Sequence, residues 1–343
     1  MTNLLICSYL EPEHIATIKR VSQKVNVQYH PELLPPPRYQ ADHAGAAGFQ
    51  RNPAQQAQWQ ALLNEAEVMF DFDYSGLEHL HEHAHKVRWI QASSAGIGQL
   101  VKRLALHRLG ATLTTAAGVH ARPLAEFVLW AMLAFAKNYP LARQQQRAQH
   151  WERFHNDDLE GKTLAVVGLG SIGREVARLA RAMGLHVIGS KRSIEGLQPA
   201  DVDVSALYAL SDLQAMLAQA DYVCLICPHT PETEGMMDAA AFAAMKPGSV
   251  FINIGRGALV QEEALLQALE QGPMQGAVLD VTSPEPLPPG HPLWEKDNVI
   301  IFPHSASTSR NENRRLVALF CDNLQRYLTG EPLRNVFDID RLY

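Results

Sequence analysis

Short apolar runs alternate with amphipathic segments along most of the chain. In the N-terminal part, runs typical of β-strands stand at LLICSYL, NVQYH, EVMFDF and VRWIQASS, and helical patterns cover residues 14–21 and 55–65. A second and stronger series predicts strands at TLAVVG, HVIGS, YVCLIC, SVFINI, GAVLDV and NVIIF. Because strands that alternate with helices are typical of parallel sheets with helices on their faces, the sequence predicts an α/β fold.

Three segments interrupt this alternation. Residues 31–53 are rich in proline and glycine without periodicity, which predicts a surface excursion. Residues 122–149 form one long helical pattern that Pro140 should end or kink. The last helical pattern, residues 310–328, has one apolar face, which is made of Leu316, Leu319, Phe320, Leu324 and Tyr327. Since the second series is complete at Phe302, we expect this helix to return to the N-terminal domain.

Composition narrows the possible functions. The 343 residues are 47% hydrophobic and 19% charged, with a formal net charge of -6, so the chain can form about two domains with real cores. A slightly acidic chain lacks the basic surface that would attract nucleic acids or anionic lipids. The longest apolar stretch, residues 124–136, is too short to span a bilayer. The N-terminus has no basic region typical of a secretory signal, so we expect a cytoplasmic enzyme acting on a small molecule.

A glycine-rich turn stands where a dinucleotide site requires it. The segment TLAVVGLGSIGREVARLARAMGLHVIGS places Gly168, Gly170 and Gly173 directly after a strand and at the start of a helix, with a second strand beyond. Such glycines permit a tight turn and a close approach of pyrophosphate to the helix N-terminus. Ser171 and Ile172 belong to the same helix N-terminus, so we expect them to contact the cofactor as well. The alternative is a tight turn of purely structural meaning.

The residues after the second strand of this unit indicate which cofactor is preferred. An NAD site normally has Asp or Glu there for the adenosine ribose diol, whereas this sequence has Ser190, Lys191, Arg192 and Ser193. Two cations suit a ribose 2′-phosphate, because Arg binds phosphate in bidentate fashion and Lys adds a point charge. The sequence therefore predicts NADP(H) in preference to NAD(H). A solvated loop that merely lacks the acid is the alternative.

Later strands end in residues suited to catalysis. Arg256 stands between two glycines after SVFINI, Asp280 and Glu285 follow GAVL, and His304 follows NVIIFP. Taken singly, each residue has an ordinary structural explanation. Because ligands of open parallel sheets bind beyond the carboxyl ends of the strands, we expect these side chains to converge on the cofactor crevice.

These motifs resemble the D-isomer-specific 2-hydroxyacid dehydrogenase family, in particular its NADP-preferring glyoxylate/hydroxypyruvate reductase-like branch. The resemblance covers nearly the whole chain and is carried by WIQASSAGIGQL, AAGVHARPLAEFVLWAML, VVGLGSIGREVARLARAMG, PHTPETEGMM, MKPGSVFINIGRGALV, LDVTSPEPLPPGHPLWEKDNVIIFPHSAS and GEPLRNVF. It implies two doubly wound parallel-sheet domains. A Rossmann-type dinucleotide-binding domain, residues 118–304, is inserted in a flavodoxin-like substrate domain, residues 1–117 and 305–343.

The resemblance also implies roles for individual residues. It implies Arg256, Glu285 and His304 as the catalytic trio, with Asp280 near the nicotinamide. It further implies cofactor contacts from Pro228 and Thr233, and binding of the substrate carboxylate by backbone amides around Ser94, Ala95 and Gly96. His304 would protonate the keto oxygen, Glu285 would favour its charged form, and Arg256 would bind the carboxylate of a small 2-keto or 2-hydroxy acid.

The resemblance leaves assembly and an alternative function to be tested. The family dimerises through the region of the apolar stretch 123–136, so we expect a homodimer. Transcriptional corepressors share the fold, and a dinucleotide-sensing binding protein is therefore the alternative function. The complete catalytic trio favours the enzyme. A formate-dehydrogenase-like enzyme would have Gln in place of Glu285.

Two further patterns suggest metal or redox chemistry but favour a structural explanation. Cys224 and Cys227 form a Cys-x-x-Cys inside a predicted strand, where core packing is expected. Histidines at positions 79, 81, 83 and 85 would lie on different faces of a helix, so no metal site is expected.

Overall fold

The structure is a computed structural model that describes residues 1–342 and consists of two compact units. The first unit contains Met1–His120 together with the residues from Thr308 onward, and the second contains Ala121–Ser307. Tyr343, the last residue of the expected substrate domain, lies outside the described residues. Within residues 1–342, no helix combines the length and apolar character needed to cross a membrane.

Twelve strands and eleven α-helices form most of the regular structure of the described chain. The strands are β1 Thr2–Ile6, β2 Val25–Gln28, β3 Val68–Phe70, β4 Trp89–Gln91, β5 Thr112–Thr114, β6 Thr163–Val167, β7 His186–Ser190, β8 Ala206–Tyr208, β9 Tyr222–Leu225, β10 Val250–Asn253, β11 Gly276–Leu279 and β12 Val299–Ile301. The helices are α1 Pro12–Lys19, α2 Pro53–Glu65, α3 Leu80–His83, α4 Gly98–Arg103, α5 Ala121–Ala136, α6 Tyr139–Arg147, α7 Ser171–Ala182, α8 Leu213–Leu217, α9 Ala239–Ala243, α10 Glu262–Gln271 and α11 Glu312–Thr329.

Both sheets are parallel and doubly wound, so the predicted fold class is confirmed. The first has the order β2-β1-β3-β4-β5, and the second has the order β12-β11-β10-β9-β6-β7-β8. The first order is that of flavodoxin-like folds, and the second contains the strand order of the Rossmann fold. In the second sheet the order reverses between β6 and β9, and ligands of such sheets bind beyond the carboxyl ends of the strands at this point.

The last helix packs on the N-terminal sheet, as its apolar face predicted. Leu316, Phe320 and Leu324 are fully buried in a core cluster with residues of β1, β3 and β4. The Phe320 ring stacks on Trp89 of β4 at 5.1 Å between centroids. The closing segment of the chain therefore belongs to the same core as its beginning.

The predicted long helix is two helices, and the predicted position of the break is wrong. Helix α5 ends at Ala136, and Asn138 has a positive φ of 48° that no α-helix contains. Pro140 lies in the first turn of α6, where its missing N–H removes no helical hydrogen bond. The turn at Asn138, and not Pro140, therefore separates the two helices.

Helix α5 buries most of its apolar side chains within its own unit. Leu124, Val128 and Met132 belong to the core cluster that covers one face of the second sheet. The apolar character of the stretch is therefore explained without a partner subunit. Trp130 is a large apolar side chain of this helix that stays partly exposed.

Two strands were not predicted from the sequence. β5 and β8 have three residues each and pair at the edges of their sheets. With three residues each, neither is long enough to produce a clear apolar run.

Candidate active site

The three glycines of the turn between β6 and α7 have different surroundings. Gly168 has a φ of +113°, and a Cβ there would lie 2.8 Å from the Cα of Cys227 in the loop after β9. A Cβ on Gly173 would lie 2.1 Å from the carbonyl oxygen of Gly168. Gly170 faces open space, since a Cβ there would meet no atom within 4 Å. The turn is therefore tight on its inner side and open where a phosphate can approach.

The end of β7 closes the other side of this turn. The Ser190 carbonyl oxygen accepts hydrogen bonds from the N–H groups of Gly168 and Leu169 at 3.1 and 3.0 Å. The Ser190 side chain is buried, and its Oγ has no hydrogen-bond partner in the part of the chain that the structure describes. A buried hydroxyl of this kind, beside an open helix N-terminus, fits the ribose and pyrophosphate of a dinucleotide.

Two cations follow Ser190. Lys191 is half-buried, and Arg192 is exposed. Arg192 Nη2 donates to Glu232 Oε1 at 2.8 Å, and both side chains are more than half exposed. The predicted basic loop is therefore present, with an acidic neighbour that the sequence did not indicate.

The loop after β9 is held by its own threonine hydroxyls. Thr233 Oγ1 accepts from the Thr230 N–H at 2.9 Å and donates to the Pro228 carbonyl oxygen at 2.8 Å. These bonds fix the loop that lies against Gly168.

Arg256 extends from a tight loop after β10. Its Nη1 donates to the Gly255 carbonyl oxygen at 2.7 Å. Asn253 holds this loop, since its Oδ1 accepts from the Gly255 N–H and its Nδ2 donates to the Arg256 carbonyl oxygen. A Cβ on Gly257 would lie 1.9 Å from the carbonyl oxygen of Thr282, so glycine is required for the packing of the loops after β10 and β11.

Asp280 shapes the loop that presents His304. Its Oδ1 accepts from the N–H groups of Ser305 and Ala306 at 2.8 and 2.9 Å, and its carbonyl oxygen accepts from the His304 N–H at 2.9 Å. His304 has a φ of +52°, a left-handed conformation that non-glycine residues adopt only when their surroundings enforce it. Burial raises the pKa of Asp280, and the two side-chain hydrogen bonds oppose that rise.

His304 and Glu285 form a hydrogen-bonded pair. Their Nδ1 and Oε2 atoms lie 3.0 Å apart, and Glu285 Oε1 accepts from the Thr282 N–H at 3.1 Å. Burial of Glu285 favours its neutral form, but the hydrogen bond and charge of His304 outweigh burial and lower the pKa of Glu285. A carboxylate only accepts, so Nδ1 carries the proton and Nε2 is the nitrogen left for proton exchange with a substrate.

Arg256 lies close enough to Glu285 and Asp280 to be affected by their charges. Burial lowers the pKa of its guanidinium, and the negative charges of Glu285 and Asp280 act against that shift. The structure therefore brings Arg256, Asp280, Glu285 and His304 together within the second unit, at the carboxyl ends of adjacent strands.

The predicted carboxylate loop lies in the first unit, after β4. The Ser94 carbonyl oxygen accepts from the Ala116 N–H at 3.1 Å, and Ser94 Oγ accepts from the Gly96 N–H at 3.2 Å. Ser94 and Ala95 are half-buried, and Gly96 is exposed.

Sequence reasoning missed residues that hold these loops in place. Asn253 in the second unit, and Asp71 with His120 in the first, each bond the backbone of a loop that carries predicted site residues. A polar residue directly at the end of a buried apolar strand, as in VFIN and VMFD, is the signal that could have revealed Asn253 and Asp71.

The remaining chemical patterns have structural explanations. Cys224 and Cys227 are buried free thiols, and burial raises the pKa of Cys227 to about 12, so the predicted core packing is confirmed. His79 pairs with Glu82 at 3.0 Å on the surface. Between Met1 and Leu342, no group of three or more His, Cys, Asp or Glu residues is arranged to hold a metal ion.

Comparisons with known proteins identify the family. A family model described as "D-isomer specific 2-hydroxyacid dehydrogenase, NAD binding domain" matches residues 129–306. Glyoxylate/hydroxypyruvate reductase B of Pectobacterium carotovorum is 33% identical over 261 residues, which are 74% of this chain and 80% of the relative. D-3-phosphoglycerate dehydrogenase of Methanocaldococcus jannaschii is 31% identical over 264 residues, 76% of this chain, but the match spans only 49% of that longer relative.

Solved structures agree over the whole chain. A D-isomer specific 2-hydroxyacid dehydrogenase family protein from Aeromonas salmonicida superposes with a TM-score of 0.81 at 29% identity, covering 99% of both chains. A D-isomer specific 2-hydroxyacid dehydrogenase from Xanthobacter autotrophicus Py2, in complex with NADPH and MES, superposes with a TM-score of 0.79 at 27% identity, covering 100% of this chain and 99% of the other. The chain therefore belongs to the D-isomer specific 2-hydroxyacid dehydrogenases, a family of oxidoreductases that use a nicotinamide dinucleotide.

Proposed function

We propose that the chain reduces a small 2-keto acid to the D-2-hydroxy acid with NADPH as the hydride donor, in a reversible reaction. The observation that carries this proposal is the 3.0 Å bond between His304 and Glu285, whose charge also acts on the half-buried Arg256. Adding hydride to C2 of a keto acid requires a proton for the carbonyl oxygen and a cation to stabilise the negative charge that develops there. Histidine and arginine meet these two requirements.

His304 is the proton donor in this proposal. Its Nδ1–H bonds Glu285, and its Nε2 delivers a proton to the carbonyl oxygen. Glu285 keeps its negative charge because its pKa is lowered, and it holds the His304 ring in place through the bond to Nδ1. In the oxidation direction the same pair lets His304 accept the proton. The bound nicotinamide supplies or accepts the hydride.

Arg256 recognises the substrate and stabilises charge. Guanidinium groups stay protonated in proteins even where burial lowers the pKa, so Arg256 presents a half-buried cation to an anionic substrate. Its planar fork can bind a carboxylate with two parallel hydrogen bonds. We assign a second carboxylate anchor to the backbone amides of residues 94–96.

This assignment gives the two units different tasks. We take the first unit as the substrate domain and the second as the dinucleotide-binding domain. The predicted bounds, residues 1–117 with 305–343 and residues 118–304, change domain three residues before the units do. The residues proposed to hold the cofactor are Gly168, Gly170, Ser171, Ile172, Gly173, Ser190, Lys191, Arg192, Pro228, Thr233 and Asp280.

Preference for NADPH rests on charge. Lys191 and Arg192 present two cations to the 2′-phosphate, which carries close to two negative charges. The ion pair between Arg192 and Glu232 competes for one of them, but exposed pairs contribute only about 0–1 kcal/mol, so a phosphate can displace it. The NADPH complex of the Xanthobacter relative supports the same preference.

We also propose a homodimer. Four large apolar side chains in or after α5 are exposed, namely Trp130, Tyr139, Leu141 and Trp151, and Trp151 is 97% exposed. Large apolar side chains left exposed in one stretch of the chain are typical of interaction surfaces. Sedimentation at micromolar concentration should give a mass of two chains, and a monomer would contradict this assembly.

One assay tests the proposed function. Initial rates of NADPH and NADH oxidation should be measured with glyoxylate, hydroxypyruvate, pyruvate and bulkier 2-keto acids, followed by chiral analysis of the product. We expect reduction of at least one small keto acid to the D product, with higher kcat/KM for NADPH. If the protein binds NADPH but reduces none of these substrates, the proposal is wrong and a dinucleotide-sensing role replaces it.

A further inference from the structure

The carboxyl edge of the N-terminal sheet carries a buried polar cluster that the proposed reaction does not use. We call His43, Asp71, Ser93 and His120 the strand-end cluster. Asp71 directly follows β3 and Ser93 closely follows β4, and all four side chains are at least nine-tenths buried. Ser93 immediately precedes the loop of residues 94–96.

Asp71 holds Ser93 from one side. Its Oδ1 accepts from the Ser93 N–H at 3.2 Å and from the Tyr74 hydroxyl at 3.3 Å. The Asp71 backbone has a φ of +66°, which costs free energy in a non-glycine residue. The side chain is therefore directed at Ser93 by a backbone conformation that the local sequence does not favour.

His120 holds Ser93 from the other side. Its Nε2 lies 3.3 Å from the Ser93 carbonyl oxygen. A carbonyl oxygen only accepts, so Nε2 carries the proton. Burial lowers the pKa of His120 to about 4, and the neutral ring therefore persists at neutral pH with Nδ1 unprotonated. The peptide groups flanking the Ser93 Cα are thus both fixed by side chains.

The excursion of residues 31–53 supplies the fourth member of the cluster. Asp42 orders this segment, accepting from the Arg38 guanidinium at 2.8 and 3.0 Å and from the Gly45 N–H at 3.1 Å. The next residue, His43, places Nδ1 3.1 Å from Ser8 Oγ and 3.9 Å from Asp71 Oδ2. The predicted surface excursion therefore has a buried middle part that neighbours Asp71.

The cluster is held at a cost in stability. Asp71 Oδ2, His43 Nε2 and His120 Nδ1 are buried and have no hydrogen-bond partner among the described residues. Each such atom destabilises the folded protein, because it has lost its hydrogen bonds to water without gaining others. Groups that only filled the core would be replaced by apolar side chains at no such cost, so the arrangement points to a function that requires these polar atoms.

We propose that Asp71 and His120 are positioning residues that fix the loop of residues 94–96 in the geometry in which its backbone amides receive the substrate carboxylate. The proposal rests on the proposed function, which assigns the carboxylate to this loop. Asp71 and His120 act through the Ser93 backbone and do not touch the reacting atoms.

Asp71 offers a conservative and a disruptive substitution. Asp71→Asn keeps an Oδ1 that accepts from Ser93, whereas Asp71→Ala removes the acceptor. With saturating NADPH, we expect Asp71→Ala to raise the KM for the keto acid about tenfold to hundredfold, with the Kd for NADPH unchanged. Asp71→Asn should stay within about threefold of the wild type.

Asp73 provides a matched control. It is a buried acid two residues away whose carboxylate accepts from Trp59 Nε1 at 2.7 Å and from Arg51 at 3.2 Å, with no bond to Ser93. Asp73→Asn should lower the melting temperature and leave the KM for the keto acid unchanged. A merely structural role for Asp71 predicts the same behaviour for Asp71→Ala.

A substrate without a carboxylate separates positioning from general damage. The methyl ester of the same keto acid cannot use the carboxylate anchor, so Asp71→Ala should lose little activity toward the ester. Equal losses for acid and ester would overturn the proposal, as would an unchanged KM for the acid. Asp71→Asn behaving like Asp71→Ala would also overturn it, since the hydrogen bond would then not be what matters.

His120 keeps the proposal testable if Asp71→Ala does not fold. His120→Gln retains an N–H that can donate to the Ser93 carbonyl oxygen, and His120→Leu does not. We expect the KM for the keto acid to rise about tenfold in His120→Leu and to recover in His120→Gln. Equal KM values in the two variants contradict the proposal. Wild-type protein that reduces no keto acid overturns the proposed function and this inference together, whereas active wild type with unaffected variants overturns the inference alone.

Discussion

The carboxyl edges of the two sheets differ in what they present. At the edge of the first sheet, ionisable side chains are buried and bond backbone groups, so that Asp71 and His120 shape a loop. At the edge of the second sheet, a histidine that is 46% exposed pairs with a carboxylate, and a glycine turn leaves room for phosphate. One edge presents backbone amides, and the other presents side chains that can exchange protons.

The pKa shifts of Asp71 and Glu285 follow the same division. Burial raises the pKa of Asp71 and lowers the pKa of His43 and His120, so the first edge favours neutral groups. At the second edge burial likewise raises the pKa of Asp280 and lowers the pKa of Arg256, but the hydrogen bond with His304 lowers the pKa of Glu285 despite burial. The charged form is therefore favoured at the carboxylate that pairs with the histidine. A site that must supply a proton and stabilise charge needs the second environment, and a site that must hold a loop rigid can use the first.

The largest loss of activity is expected from removing the proton donor at the second edge. His304→Gln should lower kcat about 10²- to 10⁴-fold, the usual effect of losing a general acid, and leave NADPH binding nearly intact. Pre-steady-state and steady-state rates with the best keto acid measure the loss. His186→Gln, an exposed histidine at the start of β7, serves as the control and should retain activity. Near wild-type turnover of His304→Gln would remove His304 from the mechanism.

A smaller effect is expected from Arg256→Lys. The substitution keeps the charge but loses the planar fork, so the KM for the keto acid should rise while kcat falls. Loss of one charge-assisted hydrogen bond corresponds to about tenfold to hundredfold in kcat/KM. Comparing KM values at saturating NADPH measures this effect. An unchanged KM would move the carboxylate anchor wholly to the loop of the first unit.

Reversing the charge of the cofactor loop should change the ratio of kcat/KM for NADPH and NADH about tenfold. Lys191→Asp combined with Arg192→Pro repels a 2′-phosphate, so preference should move toward NADH, mainly through the KM for the cofactor. The ratio of kcat/KM for the two cofactors is the measurement. Salt should weaken the wild-type preference because Arg192 is exposed. If unaltered protein uses NADH as well as or better than NADPH, the two cations are only a solvated turn.

The second edge could be predicted from sequence because its signals are local. Gly168, Gly170 and Gly173 lie within one short segment; packing of the turn requires Gly168 and Gly173, and Gly170 leaves space for a phosphate. His304 and Glu285 both follow strands of one parallel sheet, so their meeting could be expected from strand order alone. The fold class followed from the alternation of elements for the same reason.

The first edge could not be predicted in this way. Asp71, Ser93 and His120 lie more than 20 residues apart from one to the next, as the separations of 22 and 27 residues in their hydrogen bonds show. Their bonds join side chains to backbone, which produces no periodic pattern in sequence. The left-handed turn at Asn138 was missed for a related reason, since a single backbone angle decided where α5 ends.

The last prediction concerns stability, not activity, at the first edge and involves Glu312, the first residue of α11. Its Oε1 lies 3.9 Å from His43 Nε2, and its Oε2 is 3.4 Å from the Ser309 N–H. Burial raises the pKa of Glu312 to about 7, although the Ser309 N–H and the charge of Arg315 oppose the rise. The folded protein therefore binds a proton here that the unfolded chain releases near its ordinary pKa of 4.5.

Stability should consequently fall as pH rises from about 4.5 to 7, because the folded state holds more protons than the unfolded state in that range. The loss is at most about 3 kcal/mol, equivalent to a shift of several degrees in Tm. The Glu312→Gln variant has no ionisable side chain at this position, so the Tm of this variant minus that of the wild type should increase from pH 5 to pH 8. Calorimetry at the two pH values measures this difference. Any effect of the substitution on packing is the same at both pH values. Only the change of the Tm difference with pH therefore reports the ionisation of Glu312. Parallel Tm curves for the two proteins would show that Glu312 is ionised in the folded state throughout, and that the first edge does not favour neutral groups.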